Sequence, residues 1–144
     1  MSHETLQVFE EEKNTIKEYS FWKLLISNRS RTLGNCVLII KRDVHRFSEL
    51  TEEEVVELGV AVKEVENALQ GAFRYDKINW LMLMMKEPQV HFHVIPRYRE
   101  PREFGRKNFV DGFQASPLTI EKLELTQEML DLIRNEINKS ILGT

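Results

Sequence analysis

The stretch QVHFHVIPRY, residues 89–98, decides how this chain is read. Two of the four histidines stand two residues apart there, in an alternating run that closes on Pro96 and Arg97. In a β-strand, successive side chains point to opposite faces. Gln89, His91 and His93 therefore share one face, while Val90, Phe92 and Val94 share the other, whose composition is that of a core face. Side chains at i and i+2 on one face lie roughly 6–7 Å apart, close enough for two imidazoles to grip a phosphate. Imidazole titrates near neutral pH, so one ring can serve as nucleophile or base while the other donates a proton. The residues alone leave two other readings open. Alternation by itself also describes the solvent side of a half-exposed strand. A His-x-His pair can also begin a metal site, but zinc normally takes three or four ligands. His3, His45, Cys36 or distant carboxylates would have to complete it with no recognisable spacing, so no metal is expected.

Working outward, KINWLMLM (77–84) reads as a strand, with its methionines as packing, and Pro88 separates it from a histidine strand over 89–95. Upstream, LTEEEVVELGVAVKEVENALQGAF (50–73) is the clearest helix. Thr51 and Glu54 form a capping box, and the acidic first turn suits the positive end of the helix dipole. Val55, Leu58, Val62, Val65 and Leu69 fall on one face, with Gly71 as the expected stop. FWKLLIS (21–27) and CVLIIK (36–41) read as strands joined by the turn NRSRTLGN (28–35). Residues 4–17 form a short helix or an irregular arm. Residues 97–118 read as loop, with three of the four prolines between 96 and 117 and basic residues at Arg97, Arg99, Arg102, Arg106 and Lys107. A C-terminal helix is expected over 120–139, with Met129, Ile133 and Ile137 on one face. Close strand pairs with few, segregated helices predict an α+β fold: a meandering antiparallel sheet, one long helix and a C-terminal helix.

The 144 residues suit one domain over 1–144, with its core at about 20–99, an N-terminal arm over 1–19, and a C-terminal loop and helix over 100–144. No repeat or low-complexity tract interrupts it. A net charge of −3 gives no reason to expect nucleic-acid or membrane-surface binding. No apolar run approaches the length of a bilayer span, and MSHETLQVFEEEK is too charged for a signal peptide, so a cytoplasmic location is expected. Cys36, the single cysteine, suits a reducing compartment and reads as a small buried hydrophobe in mid-strand.

The surrounding pattern adds a resemblance. PQVHFHVIPRY (88–98) resembles the active-site strand of the histidine triad (HIT) superfamily of nucleotide hydrolases and transferases, His-φ-His-φ-His-φ-φ, commonly followed by Pro-Arg. LLISNRSRTLGNCVLIIKRDVHRFSELTEEE and YDKINWLMLM resemble the family's upstream strands and helix start, so the likeness runs over about 20–99. It implies a homodimer that binds nucleotides and splits the bond at the α-phosphorus, with no resident cofactor and a substrate that can arrive as a magnesium complex. His91 matches the nucleophile that carries a phosphohistidine intermediate, and His93 matches the histidine that contacts phosphate and tunes it. Asn28 matches the residue that approaches the ribose, and Leu25 and Ile39 would border the base. Arg97 would assist distal phosphates or pair with Glu100. Gln89 stands where the first triad histidine would be, a variant familiar in a bacterial branch. It can hydrogen-bond and hold geometry, but it cannot transfer a proton. That branch usually carries Gly-Asn where this chain has Met84 and Met85, with Lys86 as a differently placed substitute. Asp43 replaces a frequent histidine, and His45 reads as structural or exposed. The implied activity is hydrolysis of a dinucleoside polyphosphate or nucleoside phosphoramidate. The alternatives are a nucleotide sensor with weak turnover, a nucleotidyl transferase, and a structural dimer.

Overall fold

The computed structural model describes residues 2–142. In chain order it contains helices α1 (Glu4–Val8) and α2 (Glu11–Asn14), strands β1 (Thr15–Glu18), β2 (Trp22–Ile26) and β3 (Cys36–Ile40), the long helix α3 (Glu52–Phe73), strands β4 (Lys77–Leu81) and β5 (His91–Arg97), the hairpin β6 (Arg102–Phe104) and β7 (Lys107–Phe109), and helix α4 (Gln127–Leu142). The main sheet runs β1-β2-β3-β5-β4, every pairing antiparallel. β1 to β3 form a meander. α3 then carries the chain to the far edge, and β5 returns to fill the gap between β3 and β4. The histidine strand is thereby an interior strand. His91 lies opposite Ile39, and His93 lies between Val37 and Leu81.

The two faces of the sheet are covered differently. Trp22, Leu24, Ile26, Leu38, Ile40 and Val94 point into the main core beneath α3 and α4. On the opposite face, the one that carries the histidines, α1 and the residue after it lay Leu6 and Phe9 over Leu25, Val37 and Ile39. All five are buried. Each such side chain contributes roughly 2 kcal/mol on leaving water, enough to fix a five-residue helix that would not persist alone.

The capping box of α3 is present: Thr51 Oγ1 accepts from the Glu54 amide at 3.2 Å, and Glu54 Oε1 accepts from the Thr51 amide at 2.8 Å. Its buried face is Ala61, Val65, Ala68, Leu69 and Phe73, whereas Val55 is exposed. Of the expected stripe, Val65 and Leu69 are buried and Leu58 and Val62 half-buried, so Val55 alone falls outside, and the alanines let the helix lie close to the sheet. Gly71 does not stop α3, which runs to Phe73 and ends as Arg74 turns left-handed at φ 51°. A Cβ at Gly71 would collide with Ser140 of α4, so the glycine serves a close helix approach.

Five other boundaries differ from the sequence reading. Residues 4–17 hold two short helices and the start of the edge strand β1. β4 ends at Leu81 because the chain turns away through a left-handed Met84, φ 53°, and β5 begins at His91 and runs on through Pro96. The segment 97–118 contains the β6–β7 hairpin, whose two turn residues, Gly105 and Arg106, have φ 58° and 66°. Two consecutive positive φ angles are what a tight two-residue hairpin requires. α4 starts at Gln127, because residues before it run extended over the β2–β3 turn, with the Leu123 amide donating to the Ser30 carbonyl at 2.8 Å. Leu130, Ile133 and Ile137 are its buried side chains, and Met129 is half-buried.

Candidate active site

His91 is almost wholly buried, 1% exposed, and its Nδ1 lies 2.7 Å from the Gln89 carbonyl oxygen. A carbonyl only accepts, so Nδ1 carries the proton and Nε2 keeps its lone pair. Burial lowers the pKa of His91 against the opposing pull of that hydrogen bond, so the ring is neutral at pH 7. His93 stands edge-on to it with ring centroids 5.0 Å apart. Burial and the neighbouring His91 push His93 down to about 4. The Phe9 ring flanks both imidazoles, at 6.3 and 6.0 Å. Two adjacent neutral imidazoles, one with its tautomer fixed, are chemically able to meet a phosphorus centre with a free nitrogen lone pair.

His91, His93 and Ile95 line a cleft of about 480 Å³. One wall is the turn after β2, with Ser27, Arg29, Arg31 and Asn35. Asn35 Oδ1 shapes that turn by accepting from the Arg31 amide at 2.6 Å. A second wall is the loop before β5, with Met84, Met85, Lys86 and Glu87. The third comes from Leu118 and Lys122. Arg29 pairs with Glu87, and Arg31 donates to the Ile120 carbonyl. Four cationic side chains and one carboxylate line the cleft, which therefore attracts anions. Cys36 also borders it, but burial pushes its thiol pKa up, so it is no nucleophile at neutral pH.

Of the five residues singled out from the sequence, the structure brings His91 and His93 into the cleft. The buried Gln89 side chain faces α1 instead. Its Oε1 accepts from the Thr5 amide at 3.0 Å and the Thr5 hydroxyl at 2.6 Å, and its Nε2 donates to Asp43 Oδ1 at 2.9 Å. Gln89 thus touches His91 through its backbone carbonyl. Asp43, held below the usual carboxylate range first by Gln89 and then by His45, anchors the same network. His45 is exposed beside it. Asn28 donates to the Val8 carbonyl at 3.1 Å and Glu10 Oε2 at 3.2 Å, tying down the end of α1, while its buried Oδ1 has no partner among the described residues. Leu25 and Ile39 lie beneath α1 and not on the cleft. Arg97, 4% exposed, neither lines the cleft nor pairs with Glu100. It forms a two-point pair with Asp111 and donates to Asn79 and to the Gly112 and Ala115 carbonyls, fastening the segment after β7 to the sheet. Thr5, Arg29, Arg31, Glu87 and Lys122 were missed. The two arginines in NRSR offered a signal, but turn composition hid it.

The HIT domain family profile matches residues 8–100, and the chain belongs to this family. No curated protein matches it. Among solved structures, a histidine triad protein from Marinobacter aquaeolei superposes with a TM-score of 0.75 at 16% identity, covering 99% of this chain and 98% of the other. A hypothetical histidine triad nucleotide-binding protein from Sulfolobus tokodaii gives 0.74 at 20% identity, covering 96% and 92%. The diadenosine triphosphate hydrolase of Plasmodium falciparum gives 0.68 at 12% identity, covering 92% and 79%. These likenesses establish a common fold.

Proposed function

We propose that this protein is a HIT-type nucleotide hydrolase in which His91 Nε2 attacks the α-phosphorus and carries the nucleotidyl group as a phosphohistidine. The observation that carries this reading is the 2.7 Å contact of His91 Nδ1 with the Gln89 carbonyl, which fixes the tautomer with a free Nε2 beside a cationic cleft. His93 lies against the nucleophile and contacts the phosphoryl group. Arg29 and Lys86 face charge that develops on the phosphoryl oxygens. Covalent catalysis divides one hard displacement into two easier ones. The solved diadenosine triphosphate hydrolase with this fold is in keeping with that chemistry. Incubating a panel of dinucleoside polyphosphates and adenosine phosphoramidates with wild type and His91→Ala tests it. The variant should lose about a thousandfold or more in rate. Turnover that survives in the variant removes His91 as nucleophile.

One observation favours a second reading, a nucleotide-binding protein with weak turnover. The Gln89 side chain is fully committed to Thr5 and Asp43, so the position that holds a histidine elsewhere in the family supplies no acid. Nucleotide binding without wild-type turnover in the same panel would select it.

We also propose a homodimer. Val56 and Val60 on α3 are 70% and 59% exposed, open space surrounds Gly59 between them, and β4 has one free edge among the described residues. An exposed apolar helix face and an open sheet edge each suit a second copy. Light scattering should give twice the chain mass for wild type and half that value for Val60→Glu. An equal, single-chain mass for both would dismiss the dimer.

A further inference from the structure

We infer that Thr5 is a positioning residue: its hydroxyl, carried on α1, holds Gln89 so that the Gln89 carbonyl selects the tautomer of His91. This rests on the reading of His91 as nucleophile and adds to it a residue from outside the family match, which begins at residue 8. Thr5 is wholly buried. Its hydroxyl donates to Gln89 Oε1 at 2.6 Å, and its amide donates to the same oxygen at 3.0 Å. Its Oγ1 also accepts from the Gln89 amide at 3.2 Å. One hydroxyl is thus donor and acceptor at once, and it ties together the backbone and the side chain of Gln89. The next amide, that of Val90, donates to the Val44 carbonyl at 3.0 Å. Gln89 is therefore held on both sides of its own carbonyl, by Thr5 before it and by Val44 after it. That carbonyl is left to meet His91 Nδ1 at 2.7 Å.

The two side chains are matched. An amide oxygen has two lone pairs and takes both Thr5 donors, while the amide nitrogen donates to Asp43 at 2.9 Å. An imidazole nitrogen has one lone pair, so a histidine at position 89 would leave one of the buried Thr5 donors unsatisfied. The exchange of histidine for glutamine thus gives up a titratable group and gains an anchor for the residue that orients His91. The arm is itself well tied. His3 Nε2 lies 2.6 Å from the Ile40 carbonyl, and the Phe9 amide donates to the Thr5 carbonyl at 3.2 Å. Phe9 comes one helical turn after Thr5, on the same side of α1, and its ring packs 6.3 Å from that of His91. Without the hydroxyl, the Gln89 amide loses its acceptor and Oε1 loses one of its two donors. The backbone can then turn toward other partners, and Nδ1 loses its fixed acceptor. The proton can sit on Nε2 instead, which removes the lone pair that attacks phosphorus.

The experiment reads the tautomer directly, by nitrogen NMR of histidine-labelled protein without substrate, at a pH where the rings are neutral. His91→Ala assigns the His91 signals. Wild type should show one tautomer, with the proton on Nδ1 and Nε2 free. Thr5→Val keeps the shape of the side chain and should show a mixture of both tautomers. On the nucleotide panel its kcat should fall about tenfold while KM changes by less than about twofold. Thr5→Ser restores the hydroxyl and should restore the single tautomer. Thr5→Cys, a weaker donor and acceptor of similar size, should give an intermediate mixture and carries the test where Thr5→Val does not fold. Leu6→Ala loosens the apolar contact of the arm but spares the hydroxyl, and its His91 should keep the wild-type tautomer. An unmoved tautomer in both Thr5→Val and Thr5→Cys, a mixture in Thr5→Ser as large as in Thr5→Val, or an equal shift in Leu6→Ala overturns the role of the hydroxyl. Failure of the nucleophile reading shows separately, as turnover that survives in His91→Ala, and leaves the tautomer measurement still decisive.

Discussion

Two segments flank the same face of β5, and they treat it in opposite ways. At the Gln89 end the arm seals the sheet. Leu6 and Phe9 cover Leu25, Val37 and Ile39, and the Gln89 and Thr5 side chains beneath are paired. At the His93 end the segment through Leu118 and Lys122 keeps the sheet open and surrounds it with charge. A sealed surface tolerates a polar side chain only when its hydrogen bonds are satisfied, which is why Gln89 is bound on both its oxygen and its nitrogen. An open surface can leave cations solvated and unpaired until an anion arrives. His91 sits on the boundary, with Nδ1 tied to the sealed side and its ring lining the cleft. The pairing of a dry, hydrogen-bonded back with a wet, charged front is what makes a neutral, oriented imidazole.

The strongest way to break this contrast is to cut the seal. Gln89→Ala removes the acceptor of two buried Thr5 donors and the donor to Asp43. It should destabilise the fold by about 2–4 kcal/mol, through unpaired groups and a cavity. The loss should be local first. Amide exchange should accelerate in residues 4–9, while the amides of 116–123 keep their protection. Protection in 4–9 that stays at the wild-type level would mean that apolar contacts alone hold α1 and that the network is incidental.

The contrast also shows what the chain made legible. The histidine face was readable because its period of two is a short-range property of one strand, and the α3 cap was readable because Thr51 and Glu54 are three residues apart. The family likeness followed from the same stretch. The hydrogen-bond contact of Thr5 with Gln89 spans 84 residues, and the bond from Arg31 to Ile120 spans 89, so no local pattern announces either. Arg97 was misjudged for the same reason. Its partner Asp111 is 14 residues away, inside a segment that reads as loop, and only the fold reveals that the guanidinium is used up. Gln89 is a partial case. The sequence denied it acid chemistry, but the arm that claims its side chain was not visible. Val55 was misplaced because it is as apolar as the core residues of α3 while standing in the open.

A smaller effect sharpens the same contrast by asking how dry the histidines are. His93 has an ordinary value of 6.5 and is pushed down to about 4 by burial and by His91. Between these values the unfolded chain binds a proton that the folded chain refuses. Stability from this group is therefore complete above about pH 6.5 and is lost as pH falls toward about 4. The loss is on the order of 3 kcal/mol, since each unit of pKa difference is worth about 1.4 kcal/mol. Carboxylates such as Glu54 and Glu64, held low by Arg42 and Lys17, also lose their contribution as the solution is acidified, so the wild-type slope alone is ambiguous. The difference between wild type and His93→Gln isolates the imidazole, because glutamine does not titrate. Urea unfolding from pH 4 to 8 should show a shallower acid slope for the variant and parallel curves above pH 6.5. Parallel curves across the whole range would place His93 in water, and the dry back of the site would then end at His91.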